Sequence, residues 1–411
     1  MIEPRDSAPS PGRAMRALLI KGVSGYDVTT RFVDEIGEAF KALGWDVVVI
    51  QVLEESELFP LLSSARRRGE FDLVYSVGIF GERRDGAGRT VAEVVGAPHV
   101  IQYVDYPLGS WTRLRQTPAS TALLVVDPSH VTALRSVYGP ERFDHVAFSP
   151  HAGLGAPSPP EADGHLFAER RDIPLLFCGS YVAPRATPMW ASLPSGLKRL
   201  FDDAFDLAMG EDWIPALDAL DRVLIAHGFD PDDRGLEQLR ENAFAIHDQV
   251  RTTRRRDFLQ AVIRSRAPIH IRGRGYEPAM IDVPWVDYGG EASIDEAIAL
   301  MRRSRLVLNL NANFGRGSHE RALSAMLAGA AVVSDHSTFF AETFEVGDDM
   351  ATFNWKQAED GVAQIHDLLA DPERMWRLAR SGHLKASAGH RWRDRIPAII
   401  EAARAVSARK A

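Results

Sequence analysis

Several polar and basic side chains follow an apolar run in the C-terminal half of the sequence. Residues 306–335 read LVLNLNANFGRGSHERALSAMLAGAAVVSD, which is an apolar run, a Gly-rich loop, a helical pattern and a second apolar run. The backbone amides of such a loop and the N-terminus of the helix favour a bound anion. Arg316, His319 and Arg321 lie in or beside the loop, where they could neutralise a diphosphate that leaves with negative charge. The pattern therefore predicts a phosphate-binding loop.

A parallel α/β domain is needed to hold this loop, because strand and helix patterns alternate on both sides of it. We predict this C-terminal Rossmann-like domain over residues 165–395, with a helical insert at about residues 190–266. Residues 396–411 read as the end of the last helix. The Gly- and Pro-rich stretch GLGAPSPPEADG, which begins at Gly153, separates this domain from the N-terminal half.

The N-terminal half shows the same alternation and is predicted to be a second Rossmann-like domain, over residues 15–155. Its first strand, MRALLI, is followed by the loop KGVSGYD and a helical pattern. Gly22 and Gly25 in this loop do not form the GxGxxG fingerprint, which disfavours an NAD enzyme. Residues 1–14 are rich in charge, Pro and Ser, and we expect a flexible tail without a signal peptide.

Composition narrows the class of protein. The chain has 411 residues, 45% of them hydrophobic, which is enough for two domains with separate cores. The net charge of −8 argues against a protein that coats nucleic acid, and no segment has the roughly 20 apolar residues that span a bilayer. The single cysteine, Cys178, excludes an internal disulfide and fits a reducing cytoplasm.

A series of short motifs occurs from about residue 100 to 396, in the order YVDYP, FSPHAG, FCGSYVAPR, HIRGRGY, LNLNAN, HERALSAMLAGAAVVSD, FEVGDDMATF, LLADPERMWRLARSG and GHRWRDRI. In these motifs and their order the sequence resembles the CgeB-like (spore maturation protein) group of glycosyltransferases. The resemblance implies the GT-B fold, with two Rossmann-like domains that face a central cleft. It also implies transfer of a sugar from a nucleoside-diphosphate sugar to an unidentified acceptor nucleophile.

The resemblance assigns roles to residues of these motifs. Asp105 and His151 would be the acidic residue and the histidine of the cleft, and one of them would take the acceptor proton if the reaction inverts configuration. If the reaction retains configuration, the leaving phosphate itself would take that proton. The loop residues Gly22, Gly25 and Tyr106 would lie on the acceptor side. Donor-binding residues would be Gly179, Ser180, Arg185, Gly273, Arg274, Asn309, Asn311, Arg316, Gly317, Ser318, His319, Glu320 and Arg321. No metal or other cofactor is expected, because the amides and arginines would stabilise the leaving diphosphate.

One departure from the family pattern concerns the helix after the loop. The family has a Glu three residues after the Arg, where this chain has Ser324. Glu320 lies one turn earlier on the same helix face and could hold the ribose instead. A degenerate protein that binds a nucleotide or glycan without turnover, or that assists another transferase, is the alternative function. A GT-B-like epimerase or phosphorylase is a third, although we identify no cofactor lysine for a phosphorylase.

The run RTTRRR at residues 251–256 is strongly basic. Acidic residues flank it and no aromatic residues are interleaved, which disfavours a nucleic-acid site. We predict that the run forms a solvated helix face.

Overall fold

The computed structural model describes residues 13–78, 80–312 and 314–409. The predicted flexible tail lies largely outside the described residues, as does Asn313 of the phosphate-binding loop. The chain forms two compact units, one that combines residues up to Ser149 with those from Trp392 onward, and one that spans Pro150–Arg391. The boundary thus lies a few residues before the predicted position at 155, and the second unit ends before the predicted position at 395.

The first unit is built on six parallel strands in the order β2-β1-β3-β4-β5-β6. The central strands are apolar runs and are fully buried, as expected for a sheet that helices cover on both faces. The strands are β1 Arg16–Lys21, β2 Asp46–Gln51, β3 Leu73–Val77, β4 His99–Tyr103, β5 Thr121–Val125 and β6 His145–Phe148. The helices between them are α1 Val28–Ala42, α2 Leu58–Arg67, α3 Val91–Val95, α4 Trp111–Gln116 and α5 Pro128–Tyr138.

The second unit carries another six-stranded parallel sheet, in the order β12-β11-β10-β7-β8-β9. Its strands are β7 Ile173–Cys178, β8 Ile269–Arg272, β9 Val286–Tyr288, β10 Ser304–Asn309, β11 Ala331–Asp335 and β12 Ala351–Phe353. The order reverses between β7 and β10, and a ligand of an open α/β sheet binds beyond the carboxyl ends of the strands at such a point.

The helices of the second unit cover both faces of its sheet. They are α6 Gly164–Arg170, α7 Ser195–Gly210, α8 Ala216–Ala226, α9 Glu237–Glu241, α10 Ala243–Arg264, α11 Pro278–Ile281, α12 Ile294–Arg303, α13 Glu320–Leu327, α14 Thr338–Thr343, α15 Ala358–Ala370 and α16 Pro372–Gly389. Helices α7 to α10 lie between β7 and β8 and form the predicted helical insert. Two parallel Rossmann-like sheets with an insert in the second confirm the predicted fold class.

The chain returns to the first unit at its C-terminal end. Helix α17, Ile396–Ala408, buries Ile396, Ile399 and Val406 in contact with β4, β5 and β6. Before it, the Trp392 ring is fully buried, with its centroid 4.6 Å from that of Phe32. These apolar contacts make residues 396–408 part of the N-terminal core rather than a terminal extension of the second domain. No helix in the described part of the chain is both long and apolar enough to cross a bilayer.

Candidate anion-binding site

The loop between β10 and α13 is folded back on itself by side-chain hydrogen bonds. The Asn311 side-chain amide donates to the carbonyl oxygens of Phe314 and Gly317, at 2.8 and 3.3 Å. The backbone N–H of Asn311 donates to the Asp335 carboxyl group at the end of β11. Asn309 Nδ2 donates to Ser334 Oγ at 2.9 Å, which links the ends of β10 and β11. The loop is therefore fixed before any ligand binds, which lowers the entropic cost of binding.

Two buried polar atoms of the loop lack a partner. Among the described residues, neither Asn311 Oδ1 nor Ser318 Oγ forms a hydrogen bond, and both side chains are at most 1% exposed. Buried polar groups without partners are rare in folded proteins. A ligand bound at the loop would supply the missing partners.

His319 and Glu320 form a close pair where the loop enters α13. His319 Nδ1 lies 2.6 Å from Glu320 Oε2 and 3.3 Å from the backbone nitrogen of Arg321. The same Nδ1 accepts from the backbone N–H of Arg321, so the His319 side chain caps the N-terminus of α13. Burial alone would raise the pKa of Glu320, but His319, His151 and Arg321 outweigh it and hold this pKa well below its usual range. Burial also lowers the pKa of His319, and the neighbouring Glu320 carboxylate acts in the opposite direction.

His151, one of the two predicted catalytic residues, belongs to this group. Its side chain is 2% exposed, and its ring stacks on that of His319 with centroids 5.8 Å apart. The Phe314 ring meets it edge-on at 5.6 Å. The structure therefore brings together His151, His319 and Glu320, although His151 is far from the other two in the sequence and has a different predicted role.

Arg321 lies at the carboxyl ends of β7 and β10, where the strand order reverses. Its Nη1 donates to Asn309 Oδ1 at 3.3 Å, and its guanidinium carbon is 5.6 Å from the centre of the Phe177 ring. A side chain at Gly179 would place its Cβ 3.4 Å from Arg321 Nη2, so the loop after β7 lies against the guanidinium. These contacts aim a positive charge at the expected ligand position.

Arg255 on α10 is a buried cation beside the partly exposed Arg321, and the sequence prediction missed it. Its Nη1 donates to the Ser180 carbonyl oxygen at 3.2 Å, and its Nε has no hydrogen-bond partner among the described residues. Burial first, and then the charges of Arg321 and Arg251, lower the pKa of Arg255 to about 9. In the part of the chain that the structure describes, neither Arg255 nor Arg321 forms an ion pair with a carboxylate. Two neighbouring arginines that form no ion pair with a carboxylate favour an anionic ligand.

The interpretation of RTTRRR as a solvated helix face is therefore wrong for its central residues. Arg254 and Arg255 are 4% and 8% exposed, and Arg254 donates to the Ala208 carbonyl oxygen at 3.0 Å. The helical spacing carried a signal for this burial, since Arg255, Phe258, Leu259 and Val262 share one face of α10. For these arginines, the apolar periodicity of the helix predicts burial better than the local charge composition does.

Gly273 and Gly275 allow the loop after β8 to lie close to the loop after β7. They have φ of 143° and 87°, and a Cβ at either position would lie 2.2 Å from a carbonyl oxygen, that of Gly179 or of Tyr181. The backbone N–H of Gly179 donates to the Arg272 carbonyl oxygen at 2.8 Å. The two glycines thus shape the wall behind Ser180 and Arg255. The predicted contact of Gly273 with the nucleotide stays a prediction.

Three further arginines predicted to bind the donor are exposed on the second unit. The Arg185 and Arg274 side chains are exposed. Arg316 is also exposed and interacts electrostatically with Asp218 of α8, on the side of the loop that faces the helical insert. Their roles in donor binding stay predictions.

Ser324, which stands where the resembled family has Glu, is part of the core. Its hydroxyl donates to the Glu320 carbonyl oxygen at 2.7 Å and accepts from the backbone N–H of Leu154 at 2.9 Å. A Cβ at Gly153 would lie 2.8 Å from the carbonyl carbon and oxygen of Leu323, so this segment lies directly on α13. The space around Ser324 is filled by protein, and the side chain points away from solvent.

The predicted acceptor-side residues lie in the first unit and are described within it. Asp105 follows β4 and is exposed, whereas Tyr106 is 6% exposed, with its ring centroid 5.3 Å from that of His130. Gly22 follows β1, and Gly25 precedes Tyr26 and Asp27, which both have φ near +60°. Positive φ at two consecutive non-glycine residues is strained, and such strain concentrates at functional loops. The acceptor-side roles stay predictions.

Comparison with known proteins supports the same fold. The structure is similar to that of sucrose-phosphate synthase from Thermosynechococcus elongatus, with 13% identity, a TM-score of 0.51, and coverage of 95% of this chain and 97% of that chain. The fold is GT-B.

Further comparisons give a family match and weaker structural matches. Residues 251–401, less than half of the chain, match the family described as "Glycosyl transferase-like". The structure also matches that of HepE from Anabaena in complex with UDP and glucose, at 13% identity and a TM-score of 0.47, over 94% of this chain and 98% of that chain. No curated protein matches the sequence.

Proposed function

We propose that this protein is a glycosyltransferase that uses a nucleoside-diphosphate sugar as donor. The observation that carries the proposal is the pair of neighbouring arginines, the buried Arg255 and the partly exposed Arg321, beside the loop at the strand-order reversal of the second sheet. The match of residues 251–401 to a glycosyl transferase-like family and the GT-B fold support it. The CgeB-like subtype, a cytoplasmic location and the cleft-facing arrangement stay predictions.

In this proposal the second unit binds the diphosphate of the donor. Arg255 and Arg321 supply two positive charges, and the amides of Gly317 to His319 with the N-terminus of α13 supply aligned dipoles. These groups stabilise charge that grows as the bond between the anomeric carbon and the diphosphate oxygen breaks. Because they lie in a buried, low-dielectric site, each is worth more than a charge in water. No metal ion is required, which stays a prediction of the account.

Transfer also needs a group that takes the proton of the acceptor. The acceptor oxygen attacks the anomeric carbon, the electron pair of the broken bond remains on the diphosphate, and the acceptor loses one proton. His151 and Asp105 are the candidate bases for inversion, and the leaving phosphate is the candidate for retention. The stacking of His151 on the His319 and Glu320 pair favours His151, because the nearby carboxylate stabilises an imidazolium there.

Release of nucleoside diphosphate from nucleotide sugars tests the proposal. The purified protein is incubated with the glucose, galactose, mannose and N-acetylglucosamine derivatives of UDP, GDP, TDP and ADP, with and without mixed glycan acceptors. We expect release from one nucleotide class, lost in Arg321→Gln and retained in Arg256→Gln, which removes an arginine paired with Asp257 on the surface of α10. Absence of release from every donor by a folded protein would contradict the proposal.

A protein that binds without turnover is the second candidate function, and Ser324 favours it. The position that would hold the ribose carboxylate is buried against Leu154, so a ribose contact must come from elsewhere. Nucleoside diphosphate that binds to the loop without any release from the matching nucleotide sugars would identify this second function.

A further inference from the structure

A pocket lies between the phosphate-binding loop and the helical insert. It has a volume of about 280 Å³ and lies at the carboxyl ends of β10, β11 and β12. Four segments line it: Asp212 and Trp213 of the insert, Gly315 and Arg316 of the loop, His336 and Thr338 after β11, and Asn354 and Trp355 after β12. None of these residues except Arg316 belongs to the predicted donor site.

Phe314 and Gly315 of the loop face in different directions. Phe314 is 1% exposed and points to His151 and His319, with ring centroids 5.6 and 6.0 Å away. The next residue, Gly315, faces Trp213 of the insert on the opposite side, since a Cβ there would lie 1.8 Å from an indole carbon. The pocket therefore lies on the side of Gly315 that faces the helical insert, whereas Phe314 packs against His151 and His319.

The walls of the pocket are fixed by contacts between the four segments. The backbone N–H of Thr338 donates to the Gly315 carbonyl oxygen at 3.0 Å. The Asp212 carboxylate accepts from the backbone N–H of Lys356 at 2.8 Å, which ties the insert to the segment after β12. Trp355 Nε1 donates to Asp335 Oδ2 at 3.1 Å. A pocket of this kind is preformed, as ligand pockets usually are.

The lining residues match the chemistry of a sugar ring. A carboxylate, a guanidinium, an imidazole, a hydroxyl and an amide offer both donors and acceptors, which a polyol needs around its rim. Trp213 packs on Gly315, and the Arg254 guanidinium lies 5.5 Å from the centre of the Trp355 ring. The volume is just below the range of roughly 300–1,000 Å³ that holds drug-sized ligands, so one ring fits and a chain does not.

We propose that this pocket binds one sugar ring of a glycan, separately from the sugar that the nucleotide donor carries. The choice of a carbohydrate rests on the proposed transferase function, and the separation from the donor rests on the position of the pocket between Gly315 and the helical insert, which competition by nucleotide sugar tests. Such a site would hold the glycan next to the loop that binds the leaving diphosphate. The helical insert would then have a function, because it supplies Asp212 and Trp213.

Saturation-transfer NMR with methyl glycosides of the common hexoses and N-acetylhexosamines tests this site in the full chain. We expect signals from at least one glycoside, unchanged by an excess of nucleoside diphosphate or nucleotide sugar. His336→Ala and Asn354→Ala change exposed residues outside the core, and each should weaken binding about three- to tenfold through a lost hydrogen bond. Gln238→Ala, an exposed amide elsewhere in the insert, should leave binding unchanged.

Three results would overturn the proposal. They are no signal from any glycoside, equal binding by wild type and both pocket variants, and displacement by nucleotide sugar without displacement by nucleoside diphosphate. The last result would assign the pocket to the sugar of the donor. Donor turnover is measured separately. Turnover without glycoside binding would reject only this site, and glycoside binding without turnover would reject only the proposed transferase function.

Discussion

Ser324 stands where the resembled family has Glu, and its substitution tests whether this residue stabilises the fold or binds the ligand. In Ser324→Ala the backbone N–H of Leu154 loses its acceptor, and the Glu320 carbonyl oxygen loses one donor. A buried donor left without a partner costs about 1–3 kcal/mol. We expect Ser324→Ala to lower the free energy of unfolding by about that amount and to leave nucleoside diphosphate affinity within about twofold, which is less than about 0.5 kcal/mol.

Urea denaturation followed by tryptophan fluorescence measures the first quantity, and calorimetric titration the second. Ser407→Ala is the matched control, because the Ser407 hydroxyl also donates to the carbonyl oxygen four residues earlier, at 3.0 Å, but is exposed in α17. The control should lose less than about 0.5 kcal/mol, as exposed substitutions usually do. A Ser324→Ala variant with unchanged stability and strongly weakened nucleotide binding would refute the structural role and place Ser324 in the ligand site.

Three further outcomes follow from the second unit. Burial raises the pKa of Asp335 to about 7. The folded state therefore favours the neutral carboxyl. As pH rises from about 4 to 7, the free energy of unfolding of the wild type should fall relative to that of Asp335→Asn by up to about 4 kcal/mol, and the difference should then level off. Denaturation at several pH values measures this difference, and a constant difference would contradict the prediction. Gly273→Ala should destabilise the protein more than Gly228→Ala. Both glycines have positive φ, but only the Cβ added at Gly273 would clash with another atom, the Gly179 carbonyl oxygen. Equal melting temperatures of the two variants would refute the close approach. Nucleoside diphosphate affinity in titrations should be unaffected by EDTA, and a loss would show that a metal ion takes part.

The sequence predicted the fold because local patterns specify it. Apolar strands that alternate with amphipathic helices require parallel sheets, and the composition of residues 306–335 identifies a strand, a loop and a helix without any distant partner. The helical insert was also predicted from periodicity alone. The return of α17 to the first sheet was missed, because its apolar face shows that it is buried but not which sheet buries it.

The site was predicted only in part, because half of it comes from contacts between distant residues. The loop, His319 and Arg321 are contiguous in the sequence. Arg255 reaches them only because α10 folds back against the end of β7, which no local pattern encodes. Similarly, the sequence predicted Gly273 as a donor contact, and could not show that its conformation allows a close approach to the backbone at Gly179.

The central claim is that Arg255 and Arg321 together hold a diphosphate, and calorimetric titration tests it most directly. Wild type, Arg255→Gln and Arg256→Gln are titrated with UDP, GDP, TDP, CDP and ADP. Loss of a charge-assisted hydrogen bond of about 1.5–3 kcal/mol predicts that Arg255→Gln binds the preferred nucleotide roughly 10- to 150-fold more weakly. Arg256→Gln, which changes the adjacent residue on α10, should bind like the wild type. Equal affinity in all three proteins, or no binding of any nucleotide by the wild type, would contradict the account.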